Sequence, residues 1–128
     1  MGRNVKITLI NNTDYNWELS SKDVKHGKFQ KNKEPLKTIP GGSQMTFEVS
    51  NKVGAKIGPK GSVTYIMQDS NEAKIVTTWN HPFSSATSKY ACYSVTEGLI
   101  SSSMSPHNPT GHDQSITFNV KQNVLADS

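Results

Sequence analysis

Apolar and polar residues alternate along this chain at a spacing of two, again and again, and that regularity restricts it to strands with one buried and one wet face. Val5, Ile7 and Leu9 alternate with Lys6 and Thr8, and Tyr15, Trp17 and Leu19 with Asn16 and Glu18. Met45, Phe47 and Val49 repeat the pattern. Val63, Tyr65 and Met67 take the inner face of a run from Ser62 to Gln68, and Ile116, Phe118 and Val120 that of a run from Ser115 to Lys121. Ala73 to Trp79 and Lys89 to Thr96 complete seven or eight strands, and nothing sustains a 3.6-residue period. Turn chemistry separates them at Asn11-Asn12-Thr13-Asp14, at Pro40-Gly41-Gly42-Ser43 and around Gly54, Gly58 and Gly61. The first two runs read as a hairpin or as strands that cross between sheets. The pattern predicts an all-β chain, a single-domain β-sandwich of two antiparallel sheets.

With 128 residues there is room for one domain and no second. Its core is expected over about residues 4–121, with a flexible C-terminal tail at 122–128 and a long loop from Ser101 to His112. Hydrophobic residues make up 33% and charged ones 19%, leaving a large share of Ser, Thr, Asn, Gln and Gly that suits short strands and many turns. The net charge of +4 is concentrated between Lys22 and Lys37, where six lysines face Asp23 and Glu34. Gly27 and the lack of an apolar stripe make this an edge strand and loop. Its positive charge fits a solvated, aggregation-resisting face or contact with an anionic surface. Nucleic acid is a poor match, because Arg3 is the only arginine and lysine lacks the fork that reads guanine and phosphate.

Cys92 is alone, so no intramolecular disulfide and no Cys-rich zinc site can form; it is expected to be a small buried hydrophobe. Residues 1–6 lack the apolar core of a signal peptide, and no apolar run approaches the roughly 20 residues that span a bilayer as a helix. Synthesis in the cytoplasm, release by lysis or a leaderless route, and action at target-cell membranes are the corresponding expectations.

Catalytic signatures are missing. There is no G-x-S-x-G, H-E-x-x-H or C-x-x-C, and Gly54 to Ser62 lacks the Gly-Lys-Ser ending of a phosphate loop. His26, His81, His107 and His112 have no carboxylate at a spacing that would orient them for zinc or base chemistry. The expectation is a protein that is not an enzyme and carries no cofactor or metal. What stands out instead is Thr78-Trp79-Asn80-His81-Pro82-Phe83, followed by Lys89-Tyr90 and Tyr93: aromatic residues at strand ends, where a rigid sandwich carries its binding groups. Trp79 and Phe83 could equally plug one end of the core.

An ordered series of short motifs from Val5 to about Val120 resembles the aegerolysin family, which includes fungal haemolysins and the small components of bacterial binary insecticidal proteins. Val5-Lys6-Ile7 through Asn11-Asn12-Thr13 is similar to the family's opening strand and turn, and His26-Gly27-Lys28-Phe29 to its Gly-Lys-Trp/Leu element. Ile39-Pro40-Gly41-Gly42 is similar to its next turn. Gly58-Pro59-Lys60-Gly61-Ser62-Val63-Thr64-Tyr65 resembles Gly-Thr-Glu-Gly-Ser-Val-x-Tyr, Trp79-Asn80-His81-Pro82-Phe83 the aromatic-Asp-Asn-Pro-Phe/Tyr segment, and Ser88-Lys89-Tyr90 the Ser-Asn-Lys-Tyr element. Phe29 at the Trp position, Asn80-His81 in place of Asp-Asn, and the lengthened Ser84 to Ser88 stretch depart from the pattern.

The resemblance implies a two-sheet sandwich that binds membrane lipids of the sphingolipid and sterol type without catalysis. It also implies a larger pore-forming partner protein within a cytolytic or insecticidal system. The candidate lipid- or ligand-binding residues are Phe29, Tyr65, Trp79, Asn80, His81, Phe83, Lys89 and Tyr90. In this scheme the aromatics Phe29, Trp79, Phe83 and Tyr90 dock among headgroups while Asn80 and Lys89 hydrogen-bond them. A lectin-like module, with Trp79 or Tyr90 stacked on a sugar, is the alternative, and a self-assembling structural protein a third possibility.

Overall fold

The computed structural model describes residues 2–84 and 86–123. Among them ten strands form two five-stranded sheets: β1 (Asn4–Asn12), β2 (Trp17–His26), β3 (Lys28–Phe29), β4 (Thr38–Ile39), β5 (Gln44–Ser50), β6 (Lys60–Met67), β7 (Lys74–Asn80), β8 (Lys89–Ser94), β9 (Ile100–Ser105) and β10 (Asp113–Gln122). One sheet runs β3-β5-β1-β10-β9 and the other β4-β2-β6-β7-β8. The period-two residues supply the core. Val5, Ile7, Leu9, Phe47, Val49, Ile116, Phe118 and Val120 from the first sheet meet Trp17, Val63, Tyr65, Met67, Ile75 and Trp79 from the second, all buried. Cys92 is buried as expected, and burial raises its thiol pKa to about 11.

The second sheet is antiparallel throughout. The first departs from the expectation of purely antiparallel sheets, because β1 and β10 pair in parallel, Asn4 opposite Asp113 through Asn12 opposite Lys121. Alternation fixes which side chains face inward and carries no information on strand direction, so this pairing was not readable from the pattern.

The segment from Ser101 to His112 is also more ordered than expected. Its first part belongs to β9, an edge strand laddered to β10. Serines at positions 101 to 103 hide it from a hydrophobic pattern; Ser102 Oγ donates to the Cys92 carbonyl at 2.6 Å, while Met104 packs on the core. Gln122 ends β10, and Asn123 is tied down by hydrogen bonds to Leu99 and Gly98 carbonyls at 3.0 and 2.8 Å. The rest of the expected tail, 124–128, lies outside the described residues.

The lysine-rich segment divides between strand and loop. Lys22 to His26 extends β2, whose outer edge β4 covers only at Trp17 and Glu18. Register shifts after Leu19 and Val24 mark two bulges, a device that twists an open edge away from other strands. Lys22 and Lys33 pair with Glu34 and Glu48, and Lys25 with Asp23. The first two runs do not form a hairpin, since β1 and β2 lie in different sheets. The Asn11-Asn12-Thr13 turn makes that crossing. Asn11 is fully buried; its Nδ2 donates to the Tyr15 and Ile39 carbonyls at 2.9 and 2.8 Å, and its Oδ1 accepts from the Thr13 hydroxyl at 2.6 Å and the Thr13 backbone N–H at 3.2 Å.

Candidate functional site

The residues singled out from sequence fall into two groups. Tyr65, Trp79 and His81 are interior, with 0, 1 and 3% of their surface exposed. Tyr65 donates its hydroxyl to the Leu36 carbonyl at 2.6 Å, and burial pushes its pKa up. Trp79 forms an edge-on cluster with Phe47 and Phe29, ring centres 5.5 and 6.0 Å away. Its position follows from strand parity: Ile75, Thr77 and Trp79 all face inward. None of the three offers a side chain to a membrane in this conformation, which corrects the expectation that Trp79 docks among headgroups. Phe29 is half-buried in the same cluster, under the Lys22 ammonium at 5.8 Å from its ring centre.

His81 is a clasp between loops. A carbonyl can only accept, so His81 Nε2 donates to the His112 carbonyl at 2.7 Å, and Nδ1 accepts from the Ser88 hydroxyl at 2.7 Å. Burial lowers its pKa, helped by the charge of Arg3 and opposed by the bond to His112. Phe83 is half-buried beneath the Arg3 guanidinium, which stands 4.4 Å above its ring. Tyr90 is half-buried and donates its hydroxyl to Gln114 Oε1 at 2.5 Å; desolvation pushes its pKa up.

Asn80 and Lys89 do reach the surface, with company that the sequence reading missed. Lys60, Asn80 and Lys89 stand directly opposite one another on β6, β7 and β8. Opposed residues on paired strands are about 5 Å apart, so the two lysines straddle Asn80 at roughly 10 Å. Lys25, at the second bulge of β2, joins them around a concavity of about 300 Å³ on the outer face of the sheet. Gly61 forms part of its wall. A Cβ there would lie 2.5 Å from the Asp23 carbonyl oxygen and 2.8 Å from Trp79, so only glycine lets the strand pass over the indole. Gly58 is equally constrained: a Cβ would lie 1.7 Å from the His81 carbonyl oxygen, which fixes the 58–60 segment against the loop after β7.

The loop from Asn51 to Pro59 lies beside this row. Val53 is 96% exposed and Ile57 54%, in a stretch that also carries Lys52 and Lys56. Ile57 and Lys52 share a shallow groove with Lys25 and His26, which joins the loop to the lysine row. Among the described residues, Lys52, Lys56, Lys60 and Lys89 make no salt bridge. The signal in the sequence was lysine interleaved with aliphatic residues in a glycine-punctuated loop, Lys52-Val53-Gly54-Ala55-Lys56-Ile57-Gly58, with no strand to bury them. The array can insert two aliphatic side chains into an apolar layer while ammonium groups meet anions above it.

No model of a protein family matches the sequence, and no curated protein matches it. Solved structures do match. The RahU protein, crystallised in complex with a TRIS molecule, is 14% identical over 98% of both chains, with a TM-score of 0.74. The lipid-binding protein Nakanori is 16% identical over 97% of this chain and 72% of its own, TM-score 0.72. IP-1A from Alcaligenes faecalis is 15% identical over 97% and 94%, TM-score 0.71. These three are aegerolysin-family proteins, so the fold is the sandwich that the motif resemblance implied. At greater distance, the Xerocomus chrysenteron lectin XCL shares 8% identity over 94% of this chain and 98% of its own, TM-score 0.55.

Proposed function

We propose that this chain is an aegerolysin-type protein that binds membrane lipids, without catalysis, as the recognition component of a cytolytic or insecticidal pore-forming system. The observation that carries the reading is the loop with Val53 almost wholly exposed and Ile57 half exposed among unpaired lysines, beside the Lys25-Lys60-Lys89 concavity. Burying an aliphatic side chain is worth about 1.5–3 kcal/mol, and each lysine near an anionic surface adds about 1 kcal/mol. Together these give useful but reversible binding. The lysine row would take the phosphate of a sphingolipid headgroup, with Asn80 between the ammonium groups and the aliphatic pair in the sterol-containing layer below. Likeness of fold to a protein described as lipid-binding supports the assignment.

A larger partner would make the pore. The ten strands of the described chain are all committed to the two sheets, and a membrane-spanning hairpin needs about 9 to 11 free residues per strand. The protein would act at the membrane of a target cell.

Co-sedimentation with vesicles tests this. Vesicles of phosphatidylcholine alone, of sphingolipid with sterol, and of anionic phospholipid are compared at low and high salt. The wild-type chain pellets with the sphingolipid-sterol vesicles, and Val53→Asp with Ile57→Asp lowers its affinity about tenfold or more at unchanged thermal stability. Failure to pellet with any vesicle sinks the proposal. A lectin-like activity would then gain weight, supported by the fold it shares with XCL; the near-complete burial of Trp79 argues against that ring as the sugar platform.

A further inference from the structure

Arg3 is nine-tenths buried, with 9% of its surface exposed. Burying a guanidinium is costly, and proteins usually offset the cost with a carboxylate. Here there is none. Among the described residues the side chain makes a single hydrogen bond, Nη2 donating to the Phe83 carbonyl at 2.7 Å, and no salt bridge. The ring of Phe83 lies 4.4 Å from the guanidinium carbon, a cation–π contact that supplies attraction but no hydrogen-bond acceptor. The backbone of Arg3 is fixed separately, through Asn51: its N–H donates to Asn51 Oδ1 at 2.7 Å and its carbonyl accepts from the Asn51 N–H at 3.2 Å. Most of the guanidinium's donors therefore have no protein partner among the described residues.

Two concavities meet at this side chain. One, of about 690 Å³, lies toward Val53 and Lys56 and includes Asp113 in its wall. The other, of about 660 Å³, lies between the loop after β7 and the loop before β10. No carboxylate is among the described residues lining it; Arg3 shares it with His81, His107 and His112 and with the hydroxyls of Ser88 and Thr110. Volumes of this size suit a small polar ligand of one or two rings.

We propose that this second concavity binds an oxyanion, a carboxylate, sulfate or phosphate, carried on a sugar-sized polar molecule, with the Arg3 guanidinium as its principal contact. A guanidinium presents two parallel N–H donors to such a group, and with Nη2 directed at Phe83 the remaining donors are free to do so. The position is distinct from the lysine row: none of the residues lining the Lys25-Lys60-Lys89 concavity lines this one. Ligands free in solution, with no bilayer present, are its probes, so its failure and that of the lipid reading are separable.

Titration calorimetry and thermal unfolding would be run with N-acetylneuraminic acid, galactose 6-sulfate and glucose 6-phosphate, each beside its uncharged counterpart (the methyl ester, galactose and glucose). At least one acid binds and raises Tm with concentration, its neutral counterpart does not, and which of the three binds identifies the source of the oxyanion. Arg3→Gln weakens that binding about ten- to a hundredfold and leaves the Tm of the free protein unchanged or higher, because a largely buried charge with no carboxylate partner among the described residues has gone. Arg3→Lys keeps the charge and loses the fork; it binds several-fold more weakly, and carries the test if Arg3→Gln does not fold. Binding of none of the acids, equal binding of the neutral counterparts, or undiminished binding by both variants would overturn the proposal.

Discussion

Two buried polar side chains, Asn11 and Arg3, stand at opposite ends of the sandwich and are partnered in opposite ways. At the end where the chain crosses between sheets, Asn11 is fully buried and spends both amide donors and its carbonyl oxygen on the backbone and hydroxyl around it. Asp14 and Gln122 lock the same end, the Asp14 N–H donating to Gln122 Oε1 at 2.7 Å and Gln122 Nε2 donating to Asp14 Oδ2 at 3.2 Å. At the other end, among the described residues, the buried Arg3 side chain makes one hydrogen bond, Lys52, Lys56, Lys60 and Lys89 have no carboxylate partner, and Val53 projects into solvent. Asn11 is fully satisfied and ties the sheets together at one end, whereas the other end carries charge and apolar surface without partners among the described residues.

The sharpest way to break this contrast is at Asn11. Asn11→Ala strands the Tyr15 and Ile39 carbonyls and is expected to cost about 3 kcal/mol of stability, read from urea unfolding, while the folded fraction binds vesicles like the wild type. Equal damage to binding per folded molecule would mean that the two ends are not independent. At the open end the opposite pattern is expected. Lys60→Glu with Lys89→Glu changes Tm little, since exposed charges contribute little to stability, but weakens vesicle binding several-fold and flattens its salt dependence. A salt dependence that survives both reversals would move the headgroup contact elsewhere.

The smallest effect concerns the His81 clasp. Burial holds its folded-state pKa below 6.5, so in the window below 6.5 the unfolded chain takes up a proton that the native one does not. Stability contributed by this group is fully present above pH 6.5 and is lost as the pH falls from there toward the folded pKa. His81→Gln should flatten Tm against pH in that window. An unchanged slope would assign the acid sensitivity to other groups.

How much of this was legible depended on what alternation encodes. It identified the inner faces of β1, β5, β6 and β10, because an inward apolar residue at every second place leaves one answer. It was silent on β9, whose serines have no apolar partner in the pattern, and on the direction of β10. The site was read less well. Tyr65 was at once an inward-facing strand residue and a candidate ligand contact, and the structure sides with the strand; Trp79 shares the inward parity of Ile75 and Thr77. Asn80 and Lys89 were already candidates in the sequence, whereas the placement of Lys60, Lys25 and Val53 beside them needed the third dimension, since cross-strand register and loop placement put them together.

The parallel pairing of β1 with β10 bears on the order in which the molecule can be assembled as it is made. β1 leaves the ribosome first and β10 near the end, yet they are central neighbours in one sheet. Until residues 113–122 emerge, β1 can pair only with β5, and its other edge stays an open row of donors and acceptors beside Ile7 and Leu9. Closing a loop nearly as long as the chain is slow. The nascent protein therefore passes most of its synthesis with a sticky gap in the middle of a sheet, the interval in which chaperone binding or misassociation competes with completion.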